Sequence, residues 1–235
     1  MIINIIVFLL SIVPTVLIFL WLKKRKKEDP EYKKCANSAL IRGLISVFPV
    51  IGVSAVFYII LRLTRLQDTN VILYNVFYKV IVLAFVEELV KFFAFRFMLK
   101  KKSCEYTWAD ITALMTIIGL GFGLIEDIPY AIGATPMVML VRGFTMGHIG
   151  YGFIMGWYYG KRLYTDKKVY GVIAFLLPWL LHGLYDFSLT PEFIAINEGF
   201  MLIALALAVL DIVLLVLMFR FFYPRAEEGA LQSAC

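Results

Sequence analysis

The residues most able to do chemistry lie where a chain can least easily carry them. Leu83–Arg96 reads LAFVEELVKFFAFR, with Glu87, Glu88 and Lys91 at the centre of an apolar run long enough to cross a bilayer. One charge at mid-membrane costs about 2.5–3.5 kcal/mol on insertion scales. Packing alone does not repay two adjacent carboxylates and an ammonium there, so the group reads as a functional site. Glu87 and Glu88 stand four and three residues before Lys91, and on a helix both spacings bring side chains together. Lys91 can hold one carboxylate ionised while the other carries a proton. Such a division of roles is a usual preparation for acid–base catalysis.

Further polar residues lie inside apolar stretches: Glu126, Asp127, Arg142, His148, His182, Asp186 and Asp211. The chain has two histidines, and both are in such stretches. His182 and Asp186 are four apart and share a helix face, so the carboxylate can orient the imidazole. At 1.5 Å rise per residue, Glu126 and His182 lie roughly 9 Å from the outer helix ends, His148 roughly 16 Å, and Glu87 deeper. Glu126, His148 and His182, from three helices, are the expected ligands of a Zn²⁺ ion with a fourth position left for water. Glu87 would take the proton of that water and pass it to a leaving amine. A metal-free alternative, in which Glu87 and a histidine activate the water together, fits the same residues. No HExxH, GxGD or GxSG signature is present. Arg142 is expected to pair with Asp127 or Asp186, Asp110 to be solvated near the inner interface, and Asp211 to be structural.

The elements that must position these groups are helices in lipid. Of 235 residues, 62% are hydrophobic and 17% charged, and the mean hydropathy is +0.85. The chain therefore reads as a single membrane-embedded domain, 1–235, with its catalytic region at about 71–190. The net charge of +6 reflects basic loops, not nucleic-acid binding. Apolar segments are expected near 1–22, 39–61, 71–99, 108–131, 137–159, 170–188 and 199–223, giving an all-α polytopic bundle of about seven transmembrane helices. The KKRKK cluster at 23–27, Lys100 to Lys102, and Lys161, Arg162, Lys167 and Lys168 alternate with loops poor in Lys and Arg. By the positive-inside rule the N-terminus is outside and the C-terminus inside. Residues 23–34 read as a polar loop with Pro30 as a breaker, and no removable signal peptide is expected. Cys35, Cys104 and Cys235 all fall on the inner side and should be reduced thiols. Gly119, Gly121 and Gly123, and the four-residue series through Gly152, Gly156 and Gly160, predict close helix contacts.

The ordered set Glu87-Glu88-x-x-Lys91, Phe122-x-x-x-Glu126 within GFGLIEDIPY, His148, and His182-x-x-x-Asp186 resembles the PrsW family of intramembrane proteases. That family lies within the wider CAAX-protease and bacteriocin-processing superfamily. The resemblance covers about residues 80–190. It implies Glu87 and Glu88 as catalytic carboxylates, with Glu126, His148 and His182 as metal ligands or water-positioning groups. It also implies that Asp186 stands where the superfamily often has an Asn, and so serves as an oxyanion donor only when protonated. The implied activity is endopeptidase cleavage of a single-pass membrane protein, an anti-sigma factor in envelope stress signalling, in the bacterial inner membrane. A proton-coupled transporter or channel is the alternative that a buried Glu, His and Asp set allows.

Overall fold

The computed structural model describes residues 2–26, 28–100, 106–133, 147–190, 197 and 199–223. Arg142, all but the first residue of an expected outer turn at 133–136, the start of the fifth segment at 137–146, Cys104, Cys235 and the tail from Pro224 lie outside the described residues.

Helix α1 is Ile2–Lys23 and ends in a short 3₁₀ turn, Lys24–Lys26. Helix α2, Pro30–Leu63, runs for 34 residues. Its start corrects the expected polar loop: Pro30 opens the helix instead of breaking one. The first helical position needs no N–H donor, so proline is tolerated there, and the Asp29 side chain accepts a hydrogen bond from Tyr32 N at 2.9 Å. A single turn, α3 (Leu66–Thr69), follows. The third long run is composite: α4 (Val71–Asn75), a π-helical stretch Val76–Ala84, and α5 (Phe85–Leu99). Then come α6 (Trp108–Gly133), α7 (Gly147–Thr165), α8 (Lys168–Ser188) and α9 (Gly199–Phe222).

The fold is thus an all-α helical bundle, with long helical runs near the expected positions. Among the described residues, four helices, over Pro30–Leu63, Trp108–Pro129, Lys168–Ser188 and Gly199–Phe222, are long and apolar enough to cross a membrane. The run through α4 and α5 carries Lys79, Glu87, Glu88, Lys91 and Arg96, which lower its hydropathy.

Helix α6 is the centre. Ala109 to Phe122 is almost continuously buried, and α6 packs against α7, α2 and α1. Glycine permits that closeness. A Cβ on Gly121 would lie 2.6 Å from the Leu40 carbonyl oxygen, and one on Gly156 would lie 2.8 Å from Thr112 Cα. The expected small-residue contacts therefore join α6 to α2 and to α7. At the other extreme, α9 leaves Met201, Leu202, Leu205 and Val209 exposed, as a helix facing lipid does.

Two ties fix the end that carries the basic clusters. Asp110 is fully buried, not solvated as its place near an interface predicts. Its carboxylate meets Lys26 Nζ at 2.8 Å and Arg25 Nη2 at 3.6 Å, and accepts from Thr107 N at 3.0 Å. Nearby, Tyr32 donates its hydroxyl to the Leu22 carbonyl at 3.0 Å.

Candidate active site

Glu87, Glu88 and Lys91 lie on the first two turns of α5 and are 4%, 0% and 1% exposed. Lys91 Nζ is 2.6 Å from Glu88 Oε1, the pair that the three-residue spacing predicts. The same ammonium donates to His148 Nδ1 at 3.0 Å and lies 4.5 Å from the centre of the Phe122 ring. His148 sits at the start of α7, and its other ring nitrogen, Nε2, meets the Glu126 carboxylate of α6.

His182, on α8, is held from two sides. Its Nδ1 is 2.9 Å from Glu88 Oε1, so Glu88 accepts from Lys91 and from His182 at one oxygen. Its Nε2 is 3.4 Å from Asp186 Oδ2 and 3.7 Å from Glu87 Oε2. The two imidazoles lie edge to face with centroids 4.9 Å apart, and Tyr151 stacks on His182 at 5.2 Å.

The residues expected as catalytic groups or metal ligands lie close together: Glu87, Glu88, Lys91, Glu126, His148, His182 and Asp186. The grouping within them differs from the one drawn by depth. The trio whose ligand atoms lie within 4.8 Å of one another is Glu87, His148 and His182. Glu126 stands against His148. Lys91 and Glu126 lie at the two nitrogens of His148, and Glu87 is near His182 Nε2.

The donor set fits a divalent metal. Glu87 Oε2 is buried with no hydrogen-bond partner. Its 3.7 Å separation from His182 Nε2 is near the ~3.4 Å expected of two ligands at about 2.1 Å on a tetrahedral ion. Neutral imidazole and carboxylate are the donors that zinc takes in catalytic sites.

A cavity of about 50 Å³ adjoins the cluster, bordered by Glu126, His148, His182, Asp186, Gly123 and Asp211. It is polar and large enough for water. Asp211 is the residue whose place the sequence did not reveal. It is 2% exposed, with Oδ2 lacking a partner among the described residues, and it borders the cavity from α9. Its position midway along an apolar helix was the only signal.

The α4–α5 run is held to α8 by side-chain ties on its π-helical stretch. Trp179 Nε1 donates to the Val80 carbonyl at 2.7 Å, and Lys79 Nζ donates to the Asp186 carbonyl at 3.1 Å. π-Helical turns recur at functional sites, and this one ends three residues before Glu87.

A cluster of two histidines and four carboxylates, beside a water-sized cavity within an apolar bundle, defines a membrane-embedded hydrolytic type of centre. The family model described as PrsW family intramembrane metalloprotease matches residues 31–219, and the chain belongs to that family. Proteins named Protease PrsW are among its relatives. The one from Oceanobacillus iheyensis is 36% identical over 111 residues, covering 46% of this chain and 52% of the relative. That from Bacillus subtilis is 27% identical over 177 residues, covering 73% and 76%. That from Clostridioides difficile is 28% identical over 197 residues, covering 79% and 80%. The chain thus spans about half the length of the first of these relatives. No solved structure matches.

Proposed function

We propose that this chain is an intramembrane endopeptidase that hydrolyses a peptide bond of a single-pass membrane protein near the outer face of the bilayer. The observation that carries the proposal is the convergence of Glu87, His148 and His182 beside a polar cavity, with a buried carboxylate oxygen of Glu87 left without a partner. Depth supports the outer face. His182 is six residues before the end of α8, roughly 9 Å along the axis. Glu126 and His148 likewise lie at the helix ends remote from the basic clusters.

The roles follow from the contacts. Glu87 and His182 would hold the ion, which we take to be zinc, and His148 would join them through Nδ1 once Lys91 gives up that nitrogen and keeps Glu88. A metal in that position supplies a Lewis acid that polarises the peptide carbonyl and acidifies water. Glu88, neutralised by Lys91, fixes the His182 ring through Nδ1 and turns Nε2 toward Glu87. Glu126 orients His148 in the same manner. Asp186 faces the cavity beside His182 Nε2, placed to take a proton from the attacking water or to donate a hydrogen bond to the developing oxyanion.

The substrate class follows the family resemblance: an anti-sigma factor with one membrane span, cut in the bacterial inner membrane. The transporter alternative is not carried forward. Among the described residues the buried ionisable groups form one cluster around the histidines and another around Asp110. The uncharged stretch from Ile111 to Ile125 of α6 lies between them.

The test is metal content of purified protein, with cleavage of a tagged single-pass reporter. Wild type should hold about one zinc per chain, lost in His182→Ala and Glu87→Gln. In Glu126→Gln the ion should be weakened about 10–100-fold, as when an orienting partner of a ligand is lost. Cleavage should fall with Glu87→Gln by at least about 10²-fold, because the ion that would polarise the carbonyl is lost with it. A folded, active wild type without metal would overturn the metal assignment and leave Glu87 and His182 acting on water directly. Intact cleavage by Glu87→Gln would overturn the hydrolytic reading itself.

A further inference from the structure

A second concavity lies away from the polar cluster, between α2 and α5, and its volume is about 750 Å³. Helices α2 and α5 are antiparallel there, so the start of α2 meets the end of α5. The wall is apolar: Ile41, Ile45, Pro49, Val90, Phe93 and Phe97. Ala94 leaves the floor low between the two phenylalanines. One end is polar and cationic, with Lys34, Asn37, Ser38 and Arg42.

Arg42 belongs to that end although it is two turns further along α2. Helical side chains lean toward the N-terminus, and Arg42 Nε donates to Ser38 Oγ at 3.4 Å. Neither Lys34 nor Arg42 has a carboxylate within ion-pair distance among the described residues. A third cation closes the same end: Lys100 Nζ lies 5.2 Å from the centre of the Phe97 ring.

We infer that this groove binds one anionic phospholipid, with its phosphate between Lys34 and Arg42 and an acyl chain along Ile41, Ile45, Phe93 and Phe97. Three arguments join. The first is charge: cations without carboxylate partners at the interfacial end of a helix pair are what an anionic headgroup requires. The second is length. Lys34 to Pro49 spans roughly 22 Å of helix, matching headgroup plus hydrocarbon for one leaflet, half of about 40–45 Å. The third is chemistry along the groove, cationic at the mouth and apolar beyond it, which is the order in a phospholipid. A transmembrane protein segment would meet the cations with an apolar or basic flank instead. The inference stands apart from the hydrolytic reading, because the groove lies on the α2 side of α5, away from the histidines.

The test is native mass spectrometry of the detergent-solubilised chain, titrated with phosphatidylglycerol or with phosphatidylcholine of matched acyl chains. Wild type should retain one phosphatidylglycerol in preference to phosphatidylcholine. Lys34→Gln with Arg42→Gln should weaken phosphatidylglycerol by about fivefold per cation removed. Ala94→Trp, which fills the groove and leaves the cations, should lower binding of both lipids. Lys161→Gln with Arg162→Gln, at the end of α7, should change neither. Equal retention of the two lipids by wild type, or unchanged retention in either groove variant, would overturn the inference. Inorganic phosphate that displaces the lipid while Ala94→Trp has no effect would assign the polar end to a free anion. Displacement by a synthetic transmembrane peptide, lost in Ala94→Trp, would assign the groove to a protein helix. Either result also overturns the lipid.

Discussion

Lys91 has more work than a helix lysine usually takes on. Its ammonium neutralises Glu88, donates to His148 and lies over Phe122, with 1% of the residue exposed. Removing one member of a buried ion pair leaves the other uncompensated, at about 3–5 kcal/mol. Lys91→Met should therefore lower stability by that order in a denaturant titration in detergent. Glu88→Gln combined with Lys91→Met should recover much of the loss, because no buried charge is then left alone. An additive double variant would show that the two side chains act independently. The Glu–Lys contact was legible in the sequence, since a spacing of three fixes it. So was the His182–Asp186 pairing, for the same reason. Asp110 was misjudged because its partners, Arg25 and Lys26, come from more than eighty residues earlier, and no local spacing announces them.

Helices near the expected positions were legible because lipid demands long apolar runs. Their rotation was not. In a bilayer the outward and inward faces are both apolar, so periodicity does not say which side of α6 or α7 turns inward. That is why the sequence did not show that Glu87 lies near both histidines while Glu126 stands against His148. Glycine contacts supply the missing information. Gly121→Ala would push a methyl against the Leu40 carbonyl at 2.6 Å, so it should destabilise by about 1–3 kcal/mol. Gly52, also in a helix, has nothing within 4 Å of the added methyl, and Gly52→Ala should stabilise by about 0.4–1 kcal/mol. Opposite signs from one substitution type, read as unfolding midpoints, would mark α2–α6 contact as the cause. Equal signs would remove that explanation. The π-helical stretch was equally hidden, since its residues are ordinary apolar ones. Trp179→Phe removes its bond to the Val80 carbonyl, and should cost about 0.5–1.5 kcal/mol. It should also reduce turnover of the reporter more than its binding, because α5 and α8 carry the two halves of the cluster.

At the scale of the whole molecule, the question is which way the bundle lies in the membrane. The structure joins the basic clusters at one end. Arg25 and Lys26 grip Asp110 at the start of α6, Tyr32 caps the end of α1, and Lys161 lies 4.4 Å from the Tyr170 ring where α7 turns into α8. The opposite end, from Thr64 to Asn70, holds a single basic residue, Arg65. Positively charged loops are retained in the cytoplasm, so the end with Asp110 should be inside and the histidine cluster in the outer half. A phosphatase inserted after Gln67, active only outside the cytoplasm, should therefore be active. A green fluorescent protein fused after Cys235, fluorescent only inside, should fluoresce. Both outcomes together would put the cluster within reach of a bond near the outer face of a substrate helix. The reverse pattern would turn the bundle over, move the cut to the cytoplasmic side, and remove the depth argument for the proposed substrate. It would leave the chemistry of Glu87 and the two histidines as it stands, since that depends on their contacts and not on the side they face.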